Sequence, residues 1–206
     1  MSWRNGPDGY GLVTKTLHWV TILVLAAQFL VGYAMEADDT RFAADEARLE
    51  QLDDRAKELE GAARDAARDE VDRLEDQLDA RADAAKDEFV RDALSAPTQP
   101  SLPLAHVALG ILVLGLGIVR ILWRRQGLPP WADHLGASSR RIAGATEKVL
   151  LALLFVIPVS GLLLLLSGEG WLVLHISAHV AFFVALTVHV GLMLAHARSG
   201  QLRRML

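Results

Sequence analysis

Cysteine is absent from the 206-residue chain. No disulfide, no thiolate metal site and no Cys-x-x-Cys-His cofactor attachment can therefore form. Acids are scarce over most of the length as well. Outside residues 36–100 there are four, against 11 bases, a local net charge of +7. The other 21 of the 25 acids crowd into residues 36–100 with ten bases, which gives that segment a net charge of −11. A chain that is 52% hydrophobic yet 22% charged is thus two chemically different materials, an apolar basic part and an acidic, water-soluble insert.

The basic part holds four apolar runs long enough to cross about 30 Å of hydrocarbon. They cover approximately Leu12–Met35, Leu102–Trp123, Val149–Leu166 and Trp171–Ala195. The first is too long for a signal-peptide core, and its flank MEADD is a poor cleavage site, so it reads as a retained span. The turn SGEG between the third and fourth runs has no base. By contrast, the N-terminus carries Arg4 and Lys15, the loop after the second run carries Arg120, Arg124, Arg125, Arg140, Arg141 and Lys148, and the tail carries Arg198, Arg203 and Arg204. Positive-inside bias then predicts a multi-pass protein of the cell membrane with both termini in the cytoplasm and the insert outside. At 65 residues the insert is too long for its own bases to vote on orientation. The expected plan is the N-terminus and span one over 1–35, an extracytoplasmic helical insert over 36–100, and spans two to four with the tail over 101–206.

This topology assigns a depth to each intramembrane histidine. His18 lies about two turns into span one, near the cytoplasmic side, and His106 opens span two from outside. His175 stands near the outer start of span four, with His189 fourteen residues further in. Fourteen residues advance a helix by about 21 Å and fall only about 40° short of four whole turns, so these two share one face at two depths. His106 then matches His175 at the outer level, and His18 matches His189 at the inner level. Two pairs of neutral imidazoles stacked through a bundle suit two bis-histidine haem irons, which also take up lone pairs that are costly to bury bare. Gly32, Gly110 and Gly117 would leave room for a flat macrocycle, and Phe182, seven residues from both His175 and His189, is placed between the two cofactors.

A single membrane histidine can equally be a hydrogen-bonded neighbour of another helix; it is the pairing by depth of four that favours ligation. His179 lies about 80° around the helix from His189 and reads as a satisfied polar neighbour, with replacement of His175 as the alternative. His196 sits at the water boundary, suited to solvent or a haem propionate, and His134 reads as solvated. Pro158 predicts a kink in span three, which has no histidine and reads as a packing helix. Arg120 and Arg124 are candidates for propionate or lipid phosphate contact, but positive-inside bias alone accounts for them.

At these residues the chain resembles the bacterial cytochrome b561 family. The resemblance covers residues 9–35 and 101–206 and rests on YGLVTKTLHW, LAHVALGILVLGLGIVRILWR, IPVSGL, HISAHVAFFVALTVH and AHARSGQLRRML. It implies two non-covalent haems b, one on His18 and His189, the other on His106 and His175, and electron exchange with the quinone pool. Glu147 stands where members often carry a histidine early in span three, and the loop after span one is normally much shorter. Bis-histidine ligation leaves no open iron position, which argues against oxygen chemistry.

The expected fold is therefore all-α, a four-helix transmembrane bundle with an acidic helical hairpin inserted between spans one and two. The insert is rich in Ala, Leu, Glu and Arg, with sparse apolar positions at Leu49, Leu52, Ala56, Leu59, Ala63, Ala67, Val71, Leu74, Leu78, Ala82, Ala85 and Phe89. That three-four spacing predicts a weak coiled-coil seam turning near Gly61–Ala63, with a disordered acidic loop as the alternative. The expected function is a dihaem electron-transfer protein, which as an enzyme would be a quinol-linked oxidoreductase. The alternatives are a cytochrome subunit docking a separate dehydrogenase or reductase, and a non-redox anchor displaying a helical module. Lipid and quinone are the expected partners, with a protein partner or self-association through residues 38–94 and no nucleic acid.

Overall fold

A computed structural model describes residues 2–7, 9–39, 43–95, 98, 101–131 and 136–195. Among these residues there are six α-helices and no strand: α1 (Leu12–Asp39), α2 (Ala43–Glu58), α3 (Gly61–Ala93), α4 (Leu102–Arg124), α5 (Ala137–Ser167) and α6 (Leu172–Ala195). Four of them carry a stretch long and apolar enough to cross a membrane, namely Leu12–Met35 within α1, and the whole of α4, α5 and α6. The large apolar side chains exposed on these helices are mostly leucine, isoleucine and valine, with Trp19, Tyr33 and Phe183, a surface suited to lipid.

One helix departs from its apolar run. The hydrophobicity of span three begins at Val149, but α5 begins twelve residues earlier, at Ala137. Its first turns, ASSRRIAGATEK, are charged yet contain no proline and only one glycine among good helix formers, so the backbone continues past the point where the apolar pattern stops. At 31 residues α5 is about 46 Å long, more than the hydrocarbon needs. It ends at Gly168, whose φ of +84° carries the chain into the next turn and whose N–H bonds the Leu164 carbonyl. A short 3₁₀ turn, Glu169–Trp171, leads into α6.

The chain divides into two compact units, one of Met1–Gln28 with Val107–Leu206 and one of Phe29–His106. In the first unit the helices form a closed ring of neighbours. Trp123 Nε1 of α4 donates to Thr14 Oγ1 of α1 at 3.1 Å, and Arg124 of α4 pairs with Glu147 of α5. Ser160 of α5 meets His175 of α6, and His189 of α6 faces His18 of α1. The α5–α6 contact is the most extensive; buried on these two helices are Leu153, Leu154 and Pro158 of α5 and Ala178, Phe182 and Ala185 of α6, with Leu154 and Pro158 also lying against Gly117 and Gly110 of α4. The segment before α1 is tied down by Asn5, whose Oδ1 accepts from Gly11 N–H at 3.0 Å and Thr14 Oγ1 at 2.7 Å. Its Nδ2 donates to the Gly127 carbonyl at 2.9 Å. Gly11 has to be glycine there, because a Cβ would stand 2.4 Å from the Arg4 carbonyl carbon.

In the second unit α2 and α3 pack together, and an ion pair of 3.1 Å joins Asp45 near the start of α2 to Arg81 of α3. The helix break falls at Leu59–Glu60, followed by Gly61 at φ +59°. Ala56 and Val71 are buried and Leu49, Leu52, Ala67, Leu74 and Leu78 half-buried. Leu59, Ala63 and Ala82 are exposed instead, so the sheltered stripe is shorter than the apolar spacing predicts. The helices are also unequal, 16 residues against 33, or about 24 and 50 Å. Ser101 caps α4, its Oγ accepting from Leu104 N–H at 3.2 Å and donating to the Asp92 carbonyl at 3.1 Å.

Candidate functional site

The buried stripe of α6 runs through Ala178, Phe182 and Ala185 at four- and three-residue steps. His175 and His189 extend that stripe at seven-residue spacing from Phe182, so each half-buried imidazole faces the helix ring rather than lipid. Phe182, 4% exposed, stands between them in sequence and packs edge-on against Phe183.

His189 meets His18 of α1, with ring centroids 6.4 Å apart and planes 58° from parallel. Two metal–imidazole bonds of about 2 Å each, with the ring half-widths added, span about that distance. One turn along α1 from His18, Thr21 is buried; it donates to the Leu17 carbonyl at 2.6 Å and accepts from Arg120 Nη1 of α4 at 3.4 Å. Arg124, one turn further along α4, grips Glu147 of α5 with both guanidinium nitrogens, one at 2.6 Å and one at 3.2 Å. Arg124 and Glu147 thus have a specific structural partnership that positive-inside bias did not anticipate.

His175 is held by α5. Its Nδ1 lies 3.1 Å from the Ile157 carbonyl oxygen and 3.0 Å from Ser160 Oγ. A carbonyl can only accept, so Nδ1 carries the hydrogen and the ring's lone pair is on Nε2, the tautomer that a metal-binding imidazole needs. Ser160 is 1% exposed, and its hydroxyl donates to the same Ile157 carbonyl at 2.9 Å. Gly161 completes the seat, because a Cβ there would approach the His175 Cε1 to 2.9 Å. Span three is therefore more than a packing helix, which corrects the expectation from its lack of histidine. The signal was present in IPVSGL, a serine and a glycine beside a proline inside a leucine-rich run.

His179 donates from Nδ1 to the His175 carbonyl of its own helix at 2.8 Å, and its ring meets that of His175 edge-on at 4.5 Å. This is the polar-neighbour role. His106 belongs to the second unit, where its ring lies against Gly32 of α1, within 3.5 Å of where a Cβ would be. Gly32 therefore makes space for a histidine ring. At Gly117 the Phe155 ring lies 3.2 Å from where a Cβ would be. His134 and His196 lie outside the described residues.

A family model described as prokaryotic cytochrome b561 matches residues 9–206. The chain belongs to that family. It is thus a membrane b-type cytochrome, with haem b as the implied cofactor and electron transfer as the implied role. The match runs through the insert as well as the spans. No individual curated protein and no solved structure matches the chain. Among the described residues no three or more His, Cys, Asp or Glu side chains gather as a metal site. Haem does not need such a cluster, since the porphyrin supplies four nitrogens and the protein only axial ligands. The opposed rings of His18 and His189 and the Nδ1-anchored His175 fit that donor chemistry.

Proposed function

We propose that this cytochrome carries two haems b, one near each membrane face, and passes electrons between them and the quinone pool. His18 and His189 hold the inner haem; His106 and His175 hold the outer one. The observation that carries this reading is the facing of His18 and His189 across two helices, at a spacing that suits one metal between them. When bound, haem would supply one-electron chemistry, and a pair of histidine ligands would confine it to electron transfer by leaving the iron no open position. The chain's own part is to present neutral imidazoles, to orient them, and to surround them with apolar side chains. Orientation is visible at His175, where the Ile157 carbonyl and Ser160 hold Nδ1. Both termini face the cytoplasm in this proposal. The α2–α3 pair is an outward-facing acidic hairpin, whose use is to dock a partner or a second copy rather than to perform chemistry.

The test is haem-to-protein stoichiometry with a reduced-minus-oxidised spectrum of the purified chain. Two haems per chain are expected. His189→Ala and His175→Ala should each remove about half of the haem absorbance, and a full haem complement in either variant would overturn the assignment. Quinone exchange is checked by oxidation of the reduced protein on adding a quinone analogue. Reduced protein that stays reduced would remove the quinone from the proposal.

A further inference from the structure

Ser160, 1% exposed, is the most deeply buried polar side chain among the described residues. A hydroxyl at membrane depth is retained only where its hydrogen bonds are made. Here they form a closed three-centre arrangement. Ser160 Oγ donates to the Ile157 carbonyl at 2.9 Å, and the His175 Nδ1–H reaches both that carbonyl at 3.1 Å and Ser160 Oγ at 3.0 Å. The Gly161 backbone lies so close to the ring that no Cβ fits without displacing it. Three features of α5, within about one and a half turns, thus act on one atom and one ring edge of α6.

We propose that Ser160 is a positioning residue that, with the Ile157 carbonyl, tunes the ligand strength of His175 and so sets the redox potential of the haem it binds. This rests on His175 being an axial ligand, as proposed above. Hydrogen-bond acceptance at Nδ1–H shifts electron density onto Nε2 and raises the basicity of the ligand. A more basic axial ligand favours ferric over ferrous iron and lowers the potential. Span three, without a ligand of its own, thereby controls one of the two haems selectively. The energy gap between the haems then depends on a serine in a helix that binds neither.

The experiment is a potentiometric titration of the full-length purified protein, with electron paramagnetic resonance of the oxidised state. His175→Ala is run first to identify which signal belongs to its haem. If that variant keeps all its haem, the ligand assignment fails and not the tuning proposal alone. With the signal identified, Ser160→Ala should raise the midpoint potential of that haem, shift its low-spin signal and leave the other haem at its wild-type potential. Ser160→Thr, which keeps the hydroxyl, should return the potential toward wild type. If Ser160→Ala loses the haem outright, retention by Ser160→Thr supports the hydroxyl's role. An unchanged potential and signal in Ser160→Ala overturns the proposal. So does the same shift, or the same haem loss, in both variants, because volume rather than hydrogen bonding would then be responsible.

Discussion

Glu147 and Arg124 show how much a single pair can add to a membrane helix ring. Each side chain is about a third exposed, at 33% and 29%, and the two nitrogen–oxygen contacts give the pair a fixed geometry. Glu147→Gln should cost about 1–2 kcal/mol of stability, less than for a fully buried pair because water screens part of the charge. Thermal unfolding in detergent checks this. In a double-mutant cycle, Arg124→Gln on top of Glu147→Gln should cost less than the two single changes together. Phe182 is a different case, an apolar side chain 4% exposed in the stripe between His175 and His189. Phe182→Ala should cost about 3–5 kcal/mol through the cavity it leaves, while the wild-type haem content persists. Loss of a whole haem in this variant would show that the ring supports a ligand directly.

Helices were legible in the chain wherever hydrophobicity and helix propensity agreed, and ambiguous where they did not. The span at Leu102–Arg124 matches its apolar run to within one residue, because the turn through Arg125–Gly127 stops the helix where the lipid-facing pattern ends, and α6 starts within one residue of its own run. α5 overran its apolar run by twelve residues, since Ala, Arg, Glu and Lys continue a helix as readily as leucine does. The seat of His175 was legible only in part: IPVSGL marks a polar, small-residue spot in span three, but nothing in it says which residue of another helix its serine will meet. α2 and α3 pack as an element pair, and the exposed Arg81–Asp45 ion pair that joins them is worth about 0–1 kcal/mol. Lys57 sits between Asp53 and Asp54 at 2.8 and 3.0 Å, and these hydrogen bonds hold its ammonium above the usual lysine range. Deleting Asp38–Asp92 should leave haem content and spectrum intact if the insert is a docking module. Loss of haem on deletion would make it part of the cofactor fold.

For the whole molecule the absence of cysteine becomes a tool. Glu75→Cys in α3 and Gln126→Cys after α4 each place a single exposed thiol in the chain. A membrane-impermeant maleimide applied to intact cells is expected to label the first and reach the second only after the membrane is opened. The opposite pattern would invert the topology. The division into an apolar basic part and an acidic insert, the four spans, and the two-level spacing of the histidines were determined by the sequence alone. Length, charge and helical period depend only on which residues follow one another. The tertiary structure decided which groups meet: His18 with His189, Arg124 with Glu147, and His175 with Ile157 and Ser160. Those contacts join residues brought together by helix rotation and tilt, and rotation and tilt are set by side-chain packing between helices, which no single helix encodes.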